Sequence, residues 1–128
     1  MTSVEIPSSV AAALPTLSVF DITNDVARSV QASGRDAGLA YVAAASPVAV
    51  IRVTERESGF FHDFEAMLAR LVPMETAERE RLIVALLGSR AEQIPFTDSR
   101  LCLGQWQRVL LFGFNGDASA DYTLTIVG

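Results

Sequence analysis

The chain is 128 residues long, half of them apolar, with a formal net charge of −5 and a single cysteine. That length suits one domain around one sizeable core, so residues 1–128 are read as a single unit. An isoelectric point near 4.7 speaks against a nucleic-acid partner, because binding a phosphate backbone rests on basic patches.

All ten basic residues are arginine. Without lysine there is no Schiff-base amine, no lysine general base and no intact Walker A loop. The mean hydropathy of +0.32 is high for a soluble monomer. Yet the longest apolar tract, 38–51, is broken by Ser46 and Pro47, short of the roughly 20 apolar residues of a membrane-spanning helix. Excess apolar surface without such a segment implies burial against another subunit. No basic segment precedes an apolar stretch near Met1, so no secretory signal is expected and a cytoplasmic location fits. Cys102, between Leu101 and Leu103, reads as a small core hydrophobe and not as a reactive thiol.

Residues 3–6 are compatible with a short strand and 8–13 with a turn of helix. A strand over 17–20 leads into a helix over 23–32, where Ile22, Val26 and Val30 recur every four residues. Thr23 is its expected N-cap, Asp25 suits the positive helix start, and Ser33-Gly34 ends it. Strands are expected over 38–45 and 48–54. The first is almost wholly apolar, as in a strand buried on both faces. In the second, Val48, Val50 and Arg52 face one way and Ala49, Ile51 and Val53 the other. A helix over 58–71 has Ser58 as its cap and Phe60, Phe64, Met67 and Leu71 as its apolar stripe. Phe61 and Leu68 lie beside that stripe, and Pro73 stops the helix. Another, over 76–87, starts among Glu75, Glu78 and Glu80 and ends at Gly88. Strands follow over 93–96, 101–103, 106–114 and 122–127, with Asn115-Gly116 as a hairpin dipeptide between the last two. Helices and strands mix without a βαβ rhythm, so the fold class is α+β.

Residues 98–116, DSRLCLGQWQRVLLFGFNG, place Gly104 and Trp106 in an otherwise apolar strand. Glycine there implies a bulge or a close approach, and tryptophan an N–H that needs a partner. Other short blocks accompany this one: Phe20-Asp21-Ile22-Thr23, Ser33-Gly34, Gly38-Leu39, a strand ending at Glu55, Leu71-Val72-Pro73, and Leu86-Leu87-Gly88. Pro95, Arg100, Gln107 and Gly128 complete the series. In this order and spacing they resemble the YjbQ family, whose members are often labelled secondary thiamine-phosphate synthases. The resemblance runs from about Val19 to the end of the chain. It implies a compact fold with a bent, half-barrel-like mixed β-sheet and about three helices. It also implies a homotrimer with sites near subunit contacts, which would account for the apolar excess.

The departures from the family pattern fall where its chemistry is expected. Ser46-Pro47-Val48 stands where the family strand begins histidine-threonine-threonine. A family loop with histidine, aspartate and asparagine is shortened here to residues 74–87. Arg81 takes the place of a helix-borne histidine. The sole histidine, His62, lies beside Asp63 and cannot supply the three or four ligands of a zinc site, so it reads as a surface or packing residue. The imidazoles that the resemblance implies for a metal site and for acid–base work are thus missing, and no metal or cofactor is expected.

Glu55 is the remaining functional carboxylate, among Arg52, Arg56 and Glu57. The arginines suit bidentate phosphate binding; a solvated charge cluster at a strand end is the plainer reading. Ser46, Trp106 and Gln107 complete the candidate ligand-binding set, the last two also readable as core or interface packing. No Ser-His-acid triad and no glycine-rich phosphate loop can be drawn. The expectation is a degenerate, non-catalytic homotrimer of YjbQ type that binds a ligand, such as a small phosphorylated molecule, or serves a structural role. The alternative is a weak thiamine-phosphate synthase-like transferase in which Arg52 and Arg56 substitute for a metal. A third reading is a subunit that assembles with a full-length relative.

Overall fold

The structure, a computed structural model, describes residues 10–88, 90–114 and 121–128. In chain order its elements are β1 (Val10–Ala13), β2 (Ser18–Asp21), α1 (Thr23–Ala32), β3 (Gly38–Ala44), β4 (Ala49–Glu55), α2 (Ser58–Leu71), α3 (Arg79–Leu87), β5 (Ala91–Thr97), β6 (Arg100–Leu101), β7 (Gln107–Gly113) and β8 (Tyr122–Val127). The fold is therefore α+β, with three helices among the described residues. Its strands form two antiparallel four-stranded sheets, ordered β1-β2-β7-β4 and β6-β5-β3-β8.

Side chains alternate across a strand, and in β4 and β7 that alternation feeds two cores. Ala49, Ile51, Val109 and Leu111 pack toward the second sheet, with Val42, Ala44, Ile94 and Tyr122. Val50, Leu110 and Phe112 pack toward the helices, with Phe61, Leu68 and Ile83. Ile22 and Val26 of α1 join the inter-sheet core, and Val30 packs on Ala40 and Phe96 of the second sheet. Tyr122 is fully buried and its hydroxyl has no hydrogen-bond partner among the described residues. Burial, helped by the charge of Asp25 and opposed by Arg28, pushes that phenol up to about 12.

Several sequence expectations change here. Residues 10–13 form a strand and not a turn of helix. The strand over 38–44 is not buried on both faces: Tyr41 is 36% exposed while Ala40 and Val42 are fully buried. β7 and β8 belong to different sheets, so they are not a hairpin pair; Asn115 and Gly116 lie outside the described residues, as do residues 3–6. Cys102 lies just past the short β6 and is exposed, with its sulfur 3.7 Å from Thr97 Oγ1. The flanking leucines hid this, because they turn inward while the residue between them turns out.

The helix bounds of α1 and α2 match the expected 23–32 and 58–71, but their caps differ. Ile22 is the N-cap of α1 and contributes no side-chain bond. Glu57, not Ser58, caps α2, its carboxylate accepting the Gly59 N–H at 2.9 Å and the Phe60 N–H at 2.5 Å. Its buried residues are Phe61 and Leu68. Phe61 and Phe64 both meet Phe112 edge-on, with ring centroids 6.0 and 5.6 Å away. Phe60, Met67 and Leu71 are 42%, 40% and 58% exposed. The period was right and the phase was wrong by one residue, a rotation of about 100°. α3 starts at Arg79, after a turn over 74–78 that ends with Glu78 at a positive φ of 58°. No helix among the described residues is long and apolar enough to cross a membrane.

The phase of α2 is open to measurement. Phe61→Ala is expected to cost about 3–5 kcal/mol, the usual price of emptying a buried phenylalanine site. Phe60→Ala, removing a half-exposed ring that stacks on Phe64, is expected to cost clearly less, about 1 kcal/mol. Urea unfolding of the two variants tests this; equal losses would restore the Phe60 stripe as the core face.

Candidate functional site

The site is assembled around Asp21, the last residue of β2. β2 pairs with β7 so that Asp21 stands opposite Leu110. Arg108, two positions along β7, therefore projects from the same face. Its Nε donates to Asp21 Oδ2 at 2.9 Å. Arg56, immediately beyond β4, donates to the same oxygen at 3.1 Å. Asp21 Oδ1 accepts from the Thr23 N–H at 3.1 Å and its hydroxyl at 2.6 Å. The Thr23 hydroxyl in turn accepts the Val109 N–H at 2.8 Å. Thr23 thus ties the start of α1 to β7 instead of capping the helix.

The Asp21 side chain is only 2% exposed. Burial by itself would push its carboxyl up, but the hydrogen bonds from Thr23 and Arg108 and the arginine charge outweigh this and hold it below the ordinary 3.8. A buried carboxylate with four donors is an ionised, positioned anchor. The two guanidiniums it holds keep 44% and 34% of their side-chain surface exposed. Each has five N–H donors, most of them left over for solvent or a ligand.

Those guanidiniums border a cleft of about 660 Å³ lined by Glu55, Arg56, Glu57, Gln105, Trp106 and Arg108. Glu57 is committed to the cap of α2. Glu55 is paired in register with Gln107, and its side chain has no hydrogen-bond partner among the described residues. Trp106 is 68% exposed at the tip of a turn that precedes β7. Gly104 and Gln107 close that turn twice: Gln107 N–H donates to Gly104 O at 3.1 Å, and Gly104 N–H to Gln107 Oε1 at 2.7 Å. A β-carbon on Gly104 would stand 3.1 Å from Gln107 Oε1, a tight contact that a shift of the exposed glutamine side chain would have to relieve. Trp106 does not fill the core of its own chain, and Gln107 satisfies an exposed backbone donor, not a buried one.

Of the six candidate residues, the structure gathers Glu55, Arg56 and Trp106 on one cleft and makes Gln107 its scaffold. Arg52 lies apart. Its Nη1 donates to Ile51 O at 2.7 Å and its Nη2 to Leu87 O at 2.6 Å, at the end of α3. There it borders a separate apolar groove with Phe60, Phe64 and Phe112. Ser46 sits in the turn before β4, accepting the Val48 N–H at 3.1 Å. The length of β4, roughly 20 Å, separates it from Glu55. His62 lies with Glu65 and Thr16 in another shallow hollow. Sequence reasoning missed Arg108 and Gln105. A clue was available: Arg108 is the one charged residue in the strand that follows Trp106.

Asp21→Asn should remove roughly 1.5–3 kcal/mol of stability at neutral pH, the usual worth of hydrogen bonds to a charged group. Because the folded-state pKa is depressed below 3.8, this contribution is fully present above that value and fades as pH falls through the lower, folded-state value. Chemical unfolding of wild type and variant is expected to show a gap at pH 7 that narrows below pH about 4. A gap that stays constant into strong acid would show that Asp21 is not ionised in the fold.

The comparisons with known proteins agree on the scaffold. The profile of the family described as UPF0047 protein YjbQ-like matches residues 13–128. A UPF0047 protein of Archaeoglobus fulgidus is 30% identical over 107 residues, spanning 77% of this chain and 82% of that protein. An uncharacterised conserved protein of the YjbQ/UPF0047 family from Clostridium acetobutylicum superposes with a TM-score of 0.77 at 26% identity, covering 87% of this chain and 92% of its own. A hypothetical protein from Aeropyrum pernix superposes equally well, with a TM-score of 0.77 at 25% identity over 88% and 90% of the two chains. The chain belongs to the YjbQ-like UPF0047 family.

Proposed function

We propose that the protein binds a small phosphorylated ligand in the cleft beneath Trp106, as a non-catalytic member of its family that works as a homotrimer. The observation that carries this reading is the shared anchor: Arg56 and Arg108 converge on one carboxylate oxygen of Asp21. Two positive charges against one negative leave the trio net positive, with donors to spare. Phosphate oxygens are the acceptors such forked donors fit. The exposed indole of Trp106 offers a flat wall for a ring on the same ligand. Glu55 opposes a bare anion but supplies an acceptor for a ligand N–H or O–H, which favours a phosphate with a polar body attached.

The non-catalytic part of the reading rests on the sequence, where Ser46-Pro47-Val48 and Arg81 stand in place of the histidines that the resemblance implies. Assembly is supported by the large apolar side chains left in solvent, Phe60, Leu71, Leu82 and Leu86 among them.

The chain has one tryptophan, so its fluorescence reports on the cleft alone. Titration with thiamine phosphate and with inorganic pyrophosphate is expected to give a saturable change. Arg108→Gln or Arg56→Gln should weaken binding about tenfold or more, the worth of one charge-assisted hydrogen bond. No saturable change with either probe, or undiminished binding in Arg108→Gln, would sink the proposal. Sedimentation at micromolar concentration should give a trimer; a monomer would end the assembly reading. Rescue of a thiamine-synthase-deficient bacterium, lost on Glu55→Gln, would replace the non-catalytic reading with the transferase one.

A further inference from the structure

Arg79 is the first residue of α3, and only 6% of it is exposed. A guanidinium taken out of water is costly unless an opposite charge and full hydrogen bonding meet it. Here one bond is made: Nε donates to Val72 O at 2.8 Å, tying the start of α3 to the end of α2. Its Nη2 is buried with no hydrogen-bond partner among the described residues. None of the ion pairs among the described residues involves it.

The same spot is the N-terminus of a nine-residue helix. The N-cap, Glu78, is in the left-handed region and its side chain accepts no cap bond. Its carboxylate lies instead 3.5 Å from Arg81 Nη1, both groups largely in solvent. The first-turn N–H groups of α3 therefore have no side-chain acceptor among the described residues, and they carry the positive end of the helix dipole. Thr76, half-buried in the preceding turn, uses its N–H on Pro73 O at 3.0 Å. These groups border a hollow of about 310 Å³, with Thr76, Glu78, Arg79 and Glu80 on its polar side and Phe114 among its walls. Thr16, also on the wall, has both its N–H and its hydroxyl committed to Glu65 Oε2, at 2.8 and 2.9 Å.

We propose that this hollow is a second anion site, which takes one carboxylate or phosphate group of a small molecule between Arg79 and the first turn of α3. A buried, half-satisfied guanidinium and a helix start without a side-chain cap ask for the same thing, an oxyanion that accepts several N–H bonds at once. Glu78 and Glu80 at the mouth select against highly charged anions, so the site suits a single compact oxyanion group. It is independent of the cleft under Trp106. Arg56 precedes α2 and Arg79 follows it, and the 14-residue helix separates them by roughly 20 Å.

The test is a titration of the full chain with inorganic phosphate and with formate, followed by amide NMR and thermal unfolding. Both anions are expected to shift the amides of residues 79–81 and to raise the melting temperature. Arg108→Gln, which weakens the first cleft, should leave those shifts unchanged. Arg79→Met should weaken the apparent affinity about tenfold or more. Should Arg79→Met not fold, Thr76→Val keeps the test, with a loss of several-fold expected from one missing hydroxyl donor. The proposal falls if residues 79–81 do not respond to either anion, or if Arg79→Met, or Thr76→Val in its place, binds phosphate as well as wild type. It falls equally if these amides move with protein concentration and not with phosphate, which would assign the Arg79 counter-ion to a neighbouring copy.

Discussion

One buried carboxylate holds four parts of the chain in place. Asp21 closes β2, receives the start of α1 through Thr23, and draws in Arg56 from the β4–α2 connection and Arg108 from β7. Partners 35 and 87 residues away in sequence meet on a single oxygen. The physical constraint is desolvation. An ionised carboxylate kept from water must be surrounded by donors, or it takes up a proton and the bonds are lost. Satisfying it fixes where α1 begins, how β7 registers beside β2, and where two guanidiniums emerge.

The cleft follows from that arrangement and not from a dedicated loop. Arg56 and Arg108 are held from behind, so their outer edges are pre-organised without being buried. The Gly104–Gln107 turn, closed by the glutamine's own amide oxygen, then lifts Trp106 to the rim. What looked in sequence like an interrupted strand is a turn followed by a strand. The glycine and the glutamine shape it, and the tryptophan is what it displays.

Much of this scaffold was legible in the sequence. Helices α1 and α2 were delimited correctly because a four-residue apolar period and strong stop signals, Ser33-Gly34 and Pro73, agree. The buried face of α2 was not legible: Phe60 and Phe61 are equally apolar neighbours, and only packing on Phe112 chooses between them. Capping followed the same pattern. Ser58 and Thr23 are good caps by type, yet Glu57 and Asp21 sit where the backbone N–H groups point. Within the site, Glu55, Arg56 and Trp106 were nominated and do share a cleft. Arg52 was nominated on proximity in sequence, but its long side chain reaches the last carbonyl of α3. Arg108 was overlooked because a charge inside an apolar strand gives no hint of its partner until β2 is placed beside it.

The sharing of Asp21 by two arginines has an evolutionary side. Loss of either arginine alone still leaves the carboxylate paired, whereas loss of Asp21 removes the anchor they share. Selection for folding would therefore tolerate drift at one guanidinium but not at both, and not at the acid. A protein under no pressure to bind anything would still keep Asp21 and at least one of its arginines, simply because it must fold. Under the proposed function, relatives that retain both arginines would keep more than folding asks of them, and the second arginine would mark those that use the cleft.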